Sequence, residues 1–475
     1  MSSGAPALEA APALPRLPGE LTVERLPSGL TVALLASPQA PLVSTALWYR
    51  AGTRDEAEGH GGTAHFLEHM MFKGSERFGP GEIDRRTQVL GGSNNAFTGH
   101  DATVYYFQLA ADRWTAALEM ESDRMAGLLL DPEEVESERR VILEEIAMYE
   151  DDPWDSLSQR VDAALYGPHP YGRPVLGTRE ELLATGVEEL RSFHRRFYTP
   201  ANAVLVVAGD LGEPARALAA VDRAFSAAPA ADPGTEGRPE RPPAPPRPER
   251  RGLVRIERRK GEVGRMLLSL PVPAADHPDF APLRLATAVL GAGRSCRLYR
   301  ELVDEAQLCA WAGSALADAP DPGALSVTAE LVSGTEPRRV EEAVLRQLAE
   351  LAATAPAVAE VERAREVLFA DWTFGHERIS QQGLTAGSDL TLFRAGWSED
   401  QVRRLAEVGP EDVRRAAERH LAPAATDGGG AGPGGVLGWS LPARESALGD
   451  RLRESAPGDR LRVTAPGETT RKAAS

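Results

Sequence analysis

The chain has 475 residues, of which 42% are hydrophobic and 26% charged, an ordinary globular mix that excludes wholesale disorder and collagen-like repeats. Its 53 Lys and Arg against 70 Asp and Glu leave a net charge of −17, which argues against non-specific nucleic-acid binding. No run approaches about 18 consecutive apolar residues, so no membrane-spanning helix is expected, and the two cysteines, Cys296 and Cys309, form neither a disulfide framework nor a CxxC site.

Residues 1–19 are rich in Ala and Pro and lack a basic stretch followed by an apolar core, so they read as a disordered tail rather than a signal peptide. The setting expected from this is cytoplasmic and reducing. Val43–Tyr49 alternates as a half-buried strand, and Thr63–Gly74 follows as an apolar-periodic helix ending at Gly. An acidic helix opens at Asp131, with Pro132 at its first position and Glu134 placed for a capping box, and it runs to Tyr149. Ala203–Asp210 is a continuous apolar strand entering a turn.

The stretch 226–251 holds eight prolines and almost no apolar side chain, which marks a linker. Beyond it the pattern repeats. Arg265–Leu270 matches the first strand, and Asp279–Gly291 matches the first helix at an offset of 217. After Ala422 the chain is of low complexity, with Val436–Leu441 as a last strand and 443–475 as a tail. The division expected is a domain over 20–225, a linker over 226–251 and a homologous domain over 252–442. The mixture of strands and long helices without strict βαβ alternation points to α+β domains, each with helices packed on a mainly antiparallel sheet.

Among nine histidines, two sit together in His65-Phe66-Leu67-Glu68-His69. Residues i and i+4 share a helix face, so both imidazoles can bind one metal ion, with Glu68 beside them and able to take a proton from a water. This H-x-x-E-H order reverses the commoner zinc-protease helix. A lone histidine is usually structural, but three fitting residues at one site favour the metal. A third ligand is expected from the acidic helix, where Glu138 and Glu145 lie two turns apart on one face and Glu144 is the rival. Asn95–Thr98, flanked by glycines and followed by the aromatic strand Val104–Leu109, reads by itself as an ordinary turn before a core strand.

The run from His65 through Met70-Met71-Phe72-Lys73-Gly74 resembles the active-site helix of the inverted-zincin peptidases, the pitrilysin and insulin-degrading enzyme family. The mitochondrial processing peptidase β subunit and its bacterial homologues are the nearest in pattern. Asn95-Ala96-Phe97-Thr98, His169-Pro170-Tyr171-Gly172-Arg173-Pro174, Phe197-Tyr198-Thr199-Pro200-Ala201-Asn202 and Gly293–Tyr299 are similar to further family segments, so the likeness spans about residues 20–425. It implies the processing-peptidase/LuxS-like metallohydrolase fold in a bacterial protein. It also implies a zinc endopeptidase with one Zn2+ per chain, His65, His69 and Glu145 as ligands, and Glu68 as general base. Glu145 lies 76 residues after His69, as the family's third ligand does. Glu138 would act on the site from behind the ligands, and Asn95, Ala96, Phe97 and Thr98 would bind peptide as an added strand.

With the 217 offset, His65, Glu68 and His69 map to Pro282, Leu285 and Ala286, so the second helix cannot hold a metal. Single-chain relatives carry an Arg and a Tyr seven residues apart in their C-terminal half. The matching strand here, Pro322–Thr328, has neither, and Tyr299 is the only tyrosine after Tyr198. The expectation is a homologous partner subunit that lacks the zinc motif and supplies the Arg–Tyr pair, with a homodimer as the alternative. No nucleic-acid or membrane partner is expected. The other function weighed is a non-catalytic scaffold or core subunit of the same fold. Such subunits typically lose the zinc motif, whereas every motif position is filled here.

Overall fold

A computed structural model of the chain describes residues 19–226, 252–422 and 434–442, with the isolated positions 14, 16, 17, 243 and 246. Nearly all of the Pro-rich segment and both terminal tails lie outside the described residues.

Two sheets organise the molecule. The first is built from β1 (Glu20–Arg25), β2 (Thr31–Ala36), β3 (Leu42–Tyr49), β4 (Ser93–Thr98), β5 (Thr103–Ala110) and β6 (Ala203–Gly209), in the order β1-β2-β6-β3-β5-β4. The second is built from β7 (Val254–Arg259), β8 (Arg265–Pro271), β9 (Cys309–Leu316), β10 (Ala324–Leu331) and β11 (Val436–Leu441), in the order β7-β11-β8-β10-β9. Each has one parallel pair, β2 with β6 and β7 with β11, and antiparallel neighbours otherwise. Without β1 the two orders superpose strand for strand, so the repeat read in the sequence extends to topology. The strand expected at Pro322–Thr328 is observed as β10, which starts two residues later and ends three residues later.

β6 is buried along its whole length because both faces of its sheet are covered. On one face the helix Thr63–Met70 packs Phe66, Leu67 and Met70 into the main core with Leu205 and Val207. On the other face, Val204 and Val206 meet Leu384, Ala386 and Leu390 of the helix Ile379–Leu392, which comes from the second half of the chain. The exchange is reciprocal. The helix Pro153–Tyr166, from the first half, sets Leu157, Val161 and Leu165 against Ile256, Leu267 and Val436 of the second sheet. Each crossing relies on a glycine. A Cβ at Gly387 would lie 2.0 Å from Trp48 Nε1, and one at Gly438 would lie 2.5 Å from Val161 Cγ2.

Two local expectations change. The first helix ends at Met70 rather than Gly74; the chain turns after Met71, and Gly74 takes a φ of +130°, open to glycine. The acidic helix spans Pro132–Asp151, and Asp131 accepts hydrogen bonds from the N–H groups of Glu133 and Glu134. The expected capping box is not completed, because among the described residues the Glu134 side chain makes no reciprocal bond to the Asp131 N–H.

Candidate active site

The helix Thr63–Met70, which carries His65, Glu68 and His69, begins at Gly62 in a left-handed conformation (φ +85°), where a Cβ would fall 2.2 Å from the Leu176 carbonyl oxygen. Gly62 has no side chain to cap the helix. The half-buried Glu56 carboxylate does so instead, accepting from the N–H groups of Gly62 (3.1 Å) and Ala64 (2.8 Å). Burial drives the Glu56 carboxyl up to about 8, against the pull of these two bonds.

With Phe66, Leu67 and Met70 in the core, His65, Glu68 and His69 face a cleft of about 510 Å3. Glu145, from the acidic helix, completes the group. Its Oε2 lies 3.8 Å from His65 Nε2 and 3.7 Å from His69 Nε2, and the three ligand atoms all fall within 4.8 Å of one another. A tetrahedral site with bonds of about 2.0–2.2 Å has edges of about 3.3–3.6 Å, so this donor set fits zinc after a small contraction. Glu144, the rival in the sequence, is exposed.

The two histidines differ in their support. Burial, then the neighbouring His69, holds the His65 imidazole down at about 3, so it is neutral and its lone pair is available. Its Nδ1 is buried with no partner among the described residues. His69 Nδ1, by contrast, is 2.8 Å from Glu138 Oε1, and the other Glu138 oxygen is 2.5 Å from Lys73 Nζ. Burial alone would raise the Glu138 carboxyl, but the bonds to His69 and Lys73 outweigh it and the net shift is downward. Burial likewise opposes protonation of His69, yet Glu138, Glu68 and Glu145 move its pKa upward overall. Glu138 thus fixes the His69 tautomer and aims Nε2 at Glu145.

Glu68 is raised chiefly by burial, and one of its oxygens, Oε2, accepts a 2.5 Å hydrogen bond from the Thr98 hydroxyl. Thr98 ends β4, which lies at the edge of the first sheet and pairs only with β5. Ala96, Phe97 and Thr98 line the cleft. Asn95 is exposed, and its Oδ1 accepts the Ala96 N–H at 2.9 Å. Asp155 and Asp162 of Pro153–Tyr166 and the loop Tyr171–Leu176 also line the cleft.

Sequence reasoning missed the roles of Lys73 and Glu56 and the side-chain contact of Thr98. Lys73 stands four residues after His69, a helical spacing that could have suggested it, but the helix has ended by then. The His169-Pro170-Tyr171 run belongs to a network joining the two halves. Tyr171 donates to Asp101 (2.6 Å), Arg54 bonds Asp101 (2.7 Å) and Asp321 (2.9 Å), and His169 Nε2 lies 3.5 Å from Asp321. Asp321 comes from the loop between β9 and β10. A second cluster, His277, Asp279 and His420, has a different character. Arg419 and His420 both hold Asp279, tying the end of the helix Pro410–His420 to the start of Phe280–Gly291. In that helix Leu285 and Ala286, at the positions matching Glu68 and His69, are fully buried.

Comparisons with known proteins identify the relatives of the chain. Residues 31–179 match the family described as Insulinase (Peptidase family M16), and residues 186–368 match its inactive domain. An uncharacterized zinc protease of Streptomyces coelicolor is 30% identical over 411 residues, covering 83% of this chain and 86% of the relative. One of Mycobacterium leprae is 32% identical over 406 residues, covering 83% and 88%. A crystal structure of a protease from Helicobacter pylori shares the fold, with a TM-score of 0.82, 22% identity, and coverage of 90% of this chain and 100% of the other. Among the described residues no helix is long and apolar enough to cross a membrane. With two domains of this family, zinc-protease relatives over most of its length and a His65–His69–Glu145 donor set, the chain belongs to peptidase family M16, the insulinase-like zinc peptidases.

Proposed function

We propose that the chain is a zinc endopeptidase that cleaves peptides held in extended form along β4, with His65, His69 and Glu145 holding the metal and Glu68 as general base. The observation that carries this is the convergence of three ligand atoms within 4.8 Å beside the half-buried Glu68 carboxylate. Zinc, when bound, lowers the pKa of a water to about 7 and polarises the scissile carbonyl. Glu68 accepts the proton of the attacking water and returns it to the leaving amine. Glu138 keeps His69 oriented throughout. The free edge of β4 offers main-chain groups that any peptide can pair with, which suits broad sequence tolerance.

Glu68→Gln is expected to retain zinc and to lose about 10²–10⁴-fold in kcat, because the ligands survive and the base does not. His65→Ala is expected to lose both zinc and activity. Zinc-free protein after careful purification, or undiminished hydrolysis by Glu68→Gln, would overturn the reading.

The proposal extends to organisation. The catalytic part is 20–225, joined through 226–251 to a non-catalytic copy over 252–442. Strands of the first sheet fall within 20–209 and those of the second within 254–441, which supports the division. The oxyanion that forms during hydrolysis needs donors, and β10 carries neither Arg nor Tyr. A homologous subunit without the zinc motif would supply that pair. Adding such a subunit should raise the activity of the isolated chain, and full activity of the chain alone would exclude the requirement. Two free, buried cysteines suit a bacterial cytoplasm.

A further inference from the structure

Three observations converge on Thr98. Its hydroxyl lies 2.5 Å from Glu68 Oε2. Thr103, its cross-strand partner, sits 3.4 Å away through its own hydroxyl, but that group donates to the Ala51 carbonyl at 3.0 Å and is fully buried. The proton of Thr103 is therefore committed elsewhere, and the one proton of Thr98 is directed at the carboxylate. Third, the register that brings Thr98 to this point is pinned. Phe97 leaves the strand on the opposite face and packs edge-on against Trp48, at 5.9 Å between ring centroids. A slip of one residue would send Thr98 to that other face.

We propose that Thr98 is the positioning residue of the catalytic base, so that the strand that receives the peptide also aims Glu68. The inference rests on the reading of Glu68 as the base and of β4 as the peptide-binding edge. The Thr98 bond occupies Oε2 and holds the carboxylate in one rotamer, leaving Oε1 to meet the proton of the attacking water. Peptide paired along Asn95–Thr98 and the oxygen that activates water against it are then referred to the same residue, and their separation does not depend on a flexible Glu side chain. Thr98 need not touch the reacting atoms to do this.

The test is steady-state hydrolysis of an internally quenched peptide by the enzyme in its active assembly, with zinc content measured in parallel. Thr98→Val keeps the shape and the backbone edge but removes the donor. It should lower kcat by about 10–100-fold, with KM and zinc content unchanged. Thr98→Ser keeps the hydroxyl and should recover most of the loss. Adding Thr98→Val to Glu68→Gln should cost little more than Glu68→Gln alone, because both act through one carboxylate. Wild-type kcat in Thr98→Val, a Thr98→Ser variant as slow as Thr98→Val, or a fall confined to KM would each overturn the inference. An active wild type with an inactive Glu68→Gln and a fully active Thr98→Val would reject the role of Thr98 and leave that of Glu68 intact. Undiminished activity in Glu68→Gln would reject the reading beneath it.

Discussion

His65 and His69 lie one helical turn apart on the same face, yet only His69 has its outer nitrogen held. The Glu138 carboxylate bridges that nitrogen and Lys73, so it neutralises a lysine and orients His69, the proposed ligand, together. Outer partners of this kind typically contribute 10–100-fold in metal affinity. Glu138→Gln is therefore expected to weaken zinc binding by about that factor, read by competition with a chelator, without removing a ligand. Lys73→Ala should move affinity the same way by less, since Glu138 keeps its bond to His69. Equal zinc affinity in Glu138→Gln and wild type would show that packing alone orients His69. At this scale the sequence was legible where spacing decides, as at His65, Glu68 and His69. Helix spacing left Glu145 against Glu144 open, and only the family resemblance ranked them, because adjacent helix positions differ in what the neighbouring helix places opposite them.

The metal-site helix starts without a Ser, Thr, Asn or Asp cap, and Glu56 closes its first turn from outside. The position of its pKa at about 8 has a stability consequence. Between the ordinary carboxylate range and about pH 8 the folded chain keeps a proton on Glu56 that the unfolded chain gives up. The folded state then binds more protons, so this group's contribution falls as pH rises through that window and is level above it. Glu56→Gln should flatten that part of the profile. The measurement is the urea midpoint at pH 5.5 and 8.5 in both proteins, and an unchanged slope in Glu56→Gln would reject it. The β4 edge makes a second claim at this scale. N-methylation of peptide backbone nitrogens beside the scissile bond should weaken binding more than most side-chain changes do, as inhibition constants would show, and the opposite order would count against strand addition.

The halves of the molecule are bound by exchange, each sheet being covered by a helix of the other half. On Ile379–Leu392 two glycines face the first sheet under different constraints. A Cβ at Gly383 would sit 3.5 Å from Ala208 Cβ, an ordinary contact, whereas one at Gly387 would meet Trp48 Nε1 at 2.0 Å. Replacing a helical Gly by Ala gains about 1 kcal/mol of propensity, and overpacking costs about 1–3 kcal/mol. Gly383→Ala is thus expected to raise the thermal midpoint and Gly387→Ala to lower it, and movement in the same direction would refute the packing argument. The bond from Asp321 to Arg54 adds a polar tie beside the cleft. Arg54 keeps its bond to Asp101 without it, so Asp321→Ala should destabilise by no more than about 1 kcal/mol, read from denaturant unfolding.

The α+β class, the duplicated halves, the metal-site helix and the loss of ligands from its copy could all be read from residues alone. Each depends on a period of two or 3.6 residues, or on similarity between distant segments, and both are properties of local chain geometry. Tertiary structure decided the rest. The helices Pro153–Tyr166 and Ile379–Leu392 show an apolar face but not which sheet it will cover, because two similar sheets offer similar surfaces. Thr98 reached Glu68 and Lys73 reached Glu138 across turns and strands whose path no local period encodes. Contacts between residues about 30 to 70 positions apart are set by how elements pack, and that packing turned a legible motif into an oriented site.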